Sequence, residues 1–500
     1  MQAKYLLQLG FMGSLAALSA HEDASMSTIF WYDFETTGTN PRSDRALQVA
    51  GLRTDENLQP IGQPLNIYCR LSDDILPHPM ASLITGISVE DMQSGLHEAD
   101  FFARLHQELS QPGTCIAGFN SVRFDDELTR YGLYRNFYDP YAHEWQNSNS
   151  RWDILDALRC AWALRPEGIN WPKNAEGRHS FRLELLTAAN GIEHGQAHDA
   201  LADVQATIAM ARLLKDKQPQ LYEYLFQLRR KQEVQSRLQI GVPCVHISGR
   251  FVVERNCLGI VLPLCQHPTN PNAVICADLQ SDPSTLLTTS AEQLAQQFFT
   301  SNAALAAQGL TPAPLKVIQV NRCPVIAPIS VLRPQDIERL QINTQQWQLH
   351  QQQLLAQLPD VVNTINQAFT SHKYPEQTTD PEQMLYAGFI NSRDRNLCQQ
   401  VQQSSPEQLA NRKWQFDDQR LPELLFRYQA RNFTDSLNDA QQQQWHSFCQ
   451  QRLHESSAGA PLTIDGFYQE LQQLTQEQQN SKLMLGWLQY VQQLQARYSA

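Results

Sequence analysis

Positive charge is scarce in this sequence, and so is charge of any kind. Only 18% of its 500 residues are Asp, Glu, Lys or Arg, and the formal net charge is −12. A uniformly basic surface is excluded, which counts against a nucleic-acid partner unless Lys and Arg are gathered in one place. The ten cysteines include no CxxC pair. That absence argues against a zinc site or a dense disulfide framework and leaves the reduced thiols of a cytoplasmic protein as the expectation. Beyond residue 25 there is no apolar run of about 18 residues, so no membrane span is expected. No internal repeat is visible.

What the chain does have is apolar content, 42% of its residues, and a length that exceeds one ordinary core. Two or three globular domains follow. At the start, Lys4, the apolar stretch from Tyr5 to Leu18 and the small residues Ala17 and Ala20 imitate a weak secretory signal. Met26 stands just before the first strand-like segment, so residues 1–27 are read as an extension from an upstream start codon, disordered rather than targeting. One stretch does gather positive charge: Arg123, Arg130, Arg135, Arg151, Arg159, Arg165, Lys173, Arg178 and Arg182. Its two readings are a concentrated basic surface and ordinary solvated helix faces.

Residues 28–218 alternate strand-like and helix-like segments, the pattern of an α/β domain. Strands are expected at 28–34 and 46–52, and helices at 98–109, 125–131, 153–164 and 199–214. Residues 219–345 carry short β-branched runs at 243–248, 259–263 and 273–278, broken by Asn, Pro and Gly, with a helix at 290–299. They suggest a small barrel-like β domain. Residues 346–500 belong to a helical domain rich in Gln and Leu, with helices beginning at 345 and at 421, 440 and 467, the last reaching 498.

The chemistry lies in TIFWYDFETTG, where Asp33 and Glu35 are one residue apart on a strand. A period of two points both carboxylates to one face. Such close anions repel unless cations share the site, and hard oxygen donors suit magnesium or manganese. A lone DxE pair is more often an exposed strand end. Asp125 alone reads as a first-turn acid, Asp199 as a helix cap, and His198 as a surface histidine. The order DxE, then NxxxFDxxL at Asn120–Leu128, then HxxxxD at His198–Asp203, is far more specific than its parts.

That order resembles the DEDDh group of 3′→5′ exonucleases. The segments ITGIS, GFNSVRFDDE, YRNFYDPYA, SRWD, LRPEGINWP, SFRLE, NGIEH and AHDALADVQATIAMA, with NRCPV, LRPQD, LYAGF and YQARNF downstream, are similar to the bacterial exonuclease I family over nearly everything from Thr28 onward. The resemblance implies an RNase H-like exonuclease domain, an SH3-like β-rich domain and an all-α C-terminal domain around a positively lined channel. It implies processive 3′→5′ hydrolysis of single-stranded DNA to 5′-monophosphates in DNA repair, by a monomer with two Mg2+ ions, for which Mn2+ substitutes.

By the same resemblance Asp33, Glu35 and Asp203 hold metal, Asp125 supports the second ion, and His198 is the general base, as an imidazole titrates near neutrality. Glu35, Arg123 and Arg178 are assigned to substrate. Arg165, Tyr224 and Arg333 are assigned to the C-terminal tail of the single-stranded DNA-binding protein, although Ala327–Pro328 departs from the polar residue expected nearby. Three rivals remain: a DEDDh exoribonuclease, a nucleic-acid-binding scaffold without activity, and a polymerase proofreading subunit.

Overall fold

The structure, a computed structural model, describes residues 27–195, 199–372 and 378–499. The extension at residues 1–26 and His198 therefore lie outside the described residues. Five strands form the first sheet: β1 (Thr28–Thr36), β2 (Ala46–Thr54), β3 (Pro60–Tyr68), β4 (Thr114–Gly118) and β5 (Ser150–Asp153). Their order is β3-β2-β1-β4-β5. β1 runs antiparallel to β2 and parallel to β4.

The central place of β1 follows from its residues, most of which are β-branched or aromatic, and which are covered on both faces. Ile29 and Trp31 join a core with Val204, Ile208 and Ala211 of the helix Ala200–Lys217. Phe30, Tyr32 and Phe34 pack on the opposite face against Phe101, Phe102, Leu128 and Leu133, from the helices Glu98–Leu109 and Asp125–Arg135. By alternation Asp33 and Glu35 share the face of Ile29 and Trp31, the one that looks toward Ala200–Lys217. Gly132, inside its helix, is set by the tight seat of Phe102, since a Cβ there would come within 1.9 Å of the ring.

The second sheet contains β6 (Cys244–Ile247), β7 (Leu258–Gln266), β8 (Ala273–Asp278), β9 (Leu315–Gln319) and β10 (Val325–Pro328), in the order β10-β6-β7-β8-β9 with every pairing antiparallel. The helices Thr344–Ala356 and Leu358–Ser371 add Leu354, Val361, Ile365 and Phe369 to its core. That core is continuous with the first sheet, where Trp152 packs edge-on against Trp31 at 6.2 Å and Phe226 at 5.2 Å.

The remaining chain is helical and closes back onto the first unit, with Trp487 Nε1 donating to Ile87 O at 3.0 Å. The single helix expected from 467 to 498 is instead three: Ile464–Gln473, Gln476–Gln479 and Lys482–Arg497. Thr475 Oγ1 accepts the Gln478 N–H and Ser481 Oγ the Met484 N–H, so two local caps win over a continuous periodicity. A buried ionic network fastens the first and last units. Arg431 reaches Asp74 at 2.7 Å and also pairs with Glu382, which Arg45 meets at 2.6 Å.

The arginine-rich stretch divides: Lys173, Arg178 and Arg182 stand exposed, whereas Arg130, Arg135 and Arg151 turn inward. Arg130 and Arg151 both pair with Glu144, at 2.6 and 3.2 Å, and Arg135 pairs with Glu98 at 2.8 Å. All three guanidiniums are buried. Ion pairing inside the fold consumes charge that composition alone would place outside.

Among the described residues, no helix is long and apolar enough to cross a membrane.

Candidate active site

Strand β1 delivers Asp33 and Glu35, and the first turn of Ala200–Lys217 delivers Asp203. Asp199 starts that helix by accepting the Ala202 N–H at 3.3 Å, so its bland reading as a cap is the correct one. One carboxylate oxygen from each of Asp33, Glu35 and Asp203 lies within 4.8 Å of the other two. Asp125 opens the helix Asp125–Arg135 and its Oδ1 accepts the N–H of Phe34 at 3.2 Å. The fourth acid is thereby tied to the peptide between the first two.

Burial raises the Asp33 carboxyl well above its ordinary range, and the Asp125 and Asp203 charges add to the shift. Glu35 is pushed up to about 9 by burial first, then by Asp33, Asp203 and Asp199. Asp125 is raised by burial and by its neighbour Asp126. Several acids whose negative charge is disfavoured by one another form a site whose missing ingredient is positive charge. Oxygen donors this close fit a hard divalent cation, which would restore the ionised forms.

Two contributors escaped the sequence reading. His194, quoted only within NGIEH, places Nε2 2.5 Å from Asp203 Oδ1. Asp153, quoted only within SRWD, accepts the N–H groups of Asn120 at 2.9 Å, Val122 at 3.3 Å and Leu155 at 3.0 Å. It moulds the loop that leads into Asp125, where Asn120 takes a left-handed φ of 65°. Burial, then Asp156, raises its carboxyl to about 7. A histidine four residues before His198, on the same approach to the helix, was the available signal for the first. For the second the sequence offered only a helix-start acid that caps Leu155, since its other partners, Asn120 and Val122, are backbone groups more than 30 residues away.

Arg123 lies 3.7 Å from Asp156 and lines a cleft of about 740 Å³ with Asp153, Phe251, Lys316 and Arg322. Arg178 stands exposed on a turn where Asn174 Oδ1 accepts its backbone N–H at 2.9 Å. The other three assigned residues gather on one segment. Tyr224 donates to Ile326 O at 2.8 Å, Arg165 to Val331 O at 3.0 Å, and Arg333 to Asp336 at 2.8 Å. Asp336 also receives Arg165 at 3.3 Å, and both guanidiniums keep a partly open face.

The helix Asp125–Arg135 begins with three acids in a row, each facing a different way. Asp126 accepts Tyr32 OH at 2.8 Å and Arg151 at 2.5 Å. Arg151 in turn donates to Asn321 O at 3.0 Å, in the β9–β10 connection. Glu127 accepts Arg322 from that same connection at 2.8 Å and Tyr386 OH from the last unit.

Three family models match in succession: the one described as Exonuclease over residues 30–211, Exonuclease I SH3-like domain over 229–371, and Exonuclease I C-terminal domain over 379–494. Exodeoxyribonuclease I of Escherichia coli (strain K12) is 43% identical over 465 residues, which span 92% of this chain and 96% of that protein. The zinc-bound form of an E. coli exonuclease I complex with single-stranded DNA is similar at a TM-score of 0.88 and 42% identity, over 94% of this chain and 99% of that one. A solved SSB/exonuclease I structure with the inhibitor CFAM is similar at 0.86 and 41% identity, over 94% of this chain and all of that one.

Proposed function

The chain belongs to the exonuclease I family of 3′→5′ exodeoxyribonucleases, and from that premise we propose that it processively degrades single-stranded DNA to deoxynucleoside 5′-monophosphates in DNA repair. The observation that carries the chemistry is the convergence of Asp33, Glu35 and Asp203 within 4.8 Å. We assign these three as ligands of divalent ions, Mg2+ in the first place, with Asp125 supporting a second. When bound, such ions neutralise charge at the scissile phosphate and ease deprotonation of the attacking water.

The protein's own groups do the rest. His198 takes the proton of that water, the new P–O bond forms as the P–O3′ bond breaks, and the leaving 3′ oxygen takes up a proton from solvent. The phosphate stays on the 5′ oxygen of the released nucleotide, and the shortened strand keeps a free 3′ hydroxyl. Asp153 holds the loop in front of Asp125, so the acid is supplied in a fixed position. Arg123, on the cleft wall, suits a strand phosphate, and Arg178 is assigned to substrate binding. A strand enclosed between units finds its next phosphate at high effective concentration, which favours advance over release.

The partly open guanidiniums of Arg165 and Arg333, with Tyr224 beside them, support docking of the carboxylate-ended tail of a single-stranded DNA-binding protein. Digestion of single-stranded DNA labelled at either end, in Mg2+ and then in EDTA, tests the reading. Release of mononucleotides from the 3′ end only, abolished by EDTA, is expected. Faster hydrolysis of a matched RNA would favour the exoribonuclease, and no hydrolysis of either would leave the scaffold.

A further inference from the structure

His194 plays no part in the assignments above, yet it touches one of the metal-site acids. Its Nε2 lies 2.5 Å from Asp203 Oδ1 and its side chain is only 10% exposed. On the other side of the ring, Nδ1 is 3.3 Å from Thr187 Oγ1. Thr187 is fully buried in the helix Leu183–Ala189, with its Oγ1 also 3.0 Å from Leu183 O, and its hydroxyl proton is available to Nδ1. A short relay thus runs from one helix through the hydroxyl and the imidazole to an acid on the next helix.

A carboxylate that accepts an N–H at one oxygen loses rotational freedom and presents its other oxygen in a set direction. Groups of this kind, one layer behind the donor atoms, tune metal affinity without touching the metal. We propose that His194 is a positioning residue for the divalent-ion site: it donates Nε2–H to Asp203 Oδ1 and so orients that carboxylate for the ion. The inference rests on the reading of Asp203 as a ligand. It gives the two histidines of one segment separate tasks, His194 acting on metal affinity and His198 on turnover.

The test is calorimetric titration of the full chain with Mn2+ in the absence of DNA. His194→Ala is expected to weaken Mn2+ binding by about 10- to 100-fold. His194→Gln, which keeps a donor of similar reach, is expected to recover most of that loss. Thr187→Val frees the far side of the ring and is expected to weaken binding in the same direction, which keeps the question answerable if the alanine variant melts early. His198→Ala should leave Mn2+ affinity within about threefold of the parent. Unchanged affinity in all the His194 and Thr187 variants would overturn the proposal. So would tighter binding in His194→Ala, which would mean that the imidazole occupies the ion's place. If Asp203→Ala binds Mn2+ as well as the parent does, the ligand assignment itself falls, a failure distinct from the previous two.

Discussion

Replacing Glu35 with Gln should stabilise the metal-free protein while destroying its activity. In the fold the Glu35 carboxyl sits at about 9, against about 4.3 in an unfolded chain. Between those values the folded form holds a proton that the unfolded form has released. Stability therefore falls as pH rises, by about 1.4 kcal/mol per unit. At pH 7.5 the accumulated cost is about 4 kcal/mol, and near pH 4 it is close to zero. Glutamine keeps the shape and has nothing to ionise. Urea unfolding in EDTA at pH 4.5, 6.0 and 7.5 should show Glu35→Gln pulling ahead of the parent as pH rises. Adding Mg2+ should narrow the gap, because the cation stabilises the parent site more. If Glu35→Gln in EDTA at pH 7.5 is no more stable than the parent, burial and the neighbouring acids do not raise this carboxyl, and the electrostatic case for a cation site loses its basis.

Asp203→Ala should bind single-stranded DNA, measured by fluorescence anisotropy, within a few-fold of the parent, while hydrolysis falls on the order of 10³-fold. Arg431→Ala leaves Asp74 and Glu382 short of a partner in a buried network, and urea unfolding should report a loss of about 3–5 kcal/mol. Burial holds the His143 imidazole down at about 3. The unfolded chain then gains a proton below about pH 6.5 that the fold refuses, so stability drops as pH falls; the loss from pH 7 to pH 5 is about 2 kcal/mol, and His143→Phe should flatten it. Arg333→Ala should weaken an acidic peptide with a free C-terminal carboxylate by about tenfold in anisotropy while leaving hydrolysis of naked DNA unchanged.

Strand β1 was readable because its signal is local. Alternation alone placed Asp33 and Glu35 on one face, and tertiary packing then decided which helix that face would meet. The Asp199 cap and the helices Glu98–Leu109 and Leu421–Asn432 were legible for the same reason, their information lying within a turn or two. Arg130, Arg135 and Arg151 looked like surface charge because each has a partner on another element, and a guanidinium reads alike whether it faces water or a buried carboxylate. The caps at Thr475 and Ser481 were visible as residues but were outvoted by the hydrophobic period around them. His194 was masked by a more conspicuous histidine nearby.

The run Asp125-Asp126-Glu127 means that the nuclease is not a portable cassette. Cut away after residue 218, it would keep its four acids but lose Arg322 and Tyr386 from Glu127, and the Asn321 carbonyl from Arg151. The stub would also expose the apolar wall of Trp152 that Phe226 covers. Shortening this enzyme to its chemistry would leave the helix that carries Asp125 held by the first unit alone, stripped of its contacts to the other two.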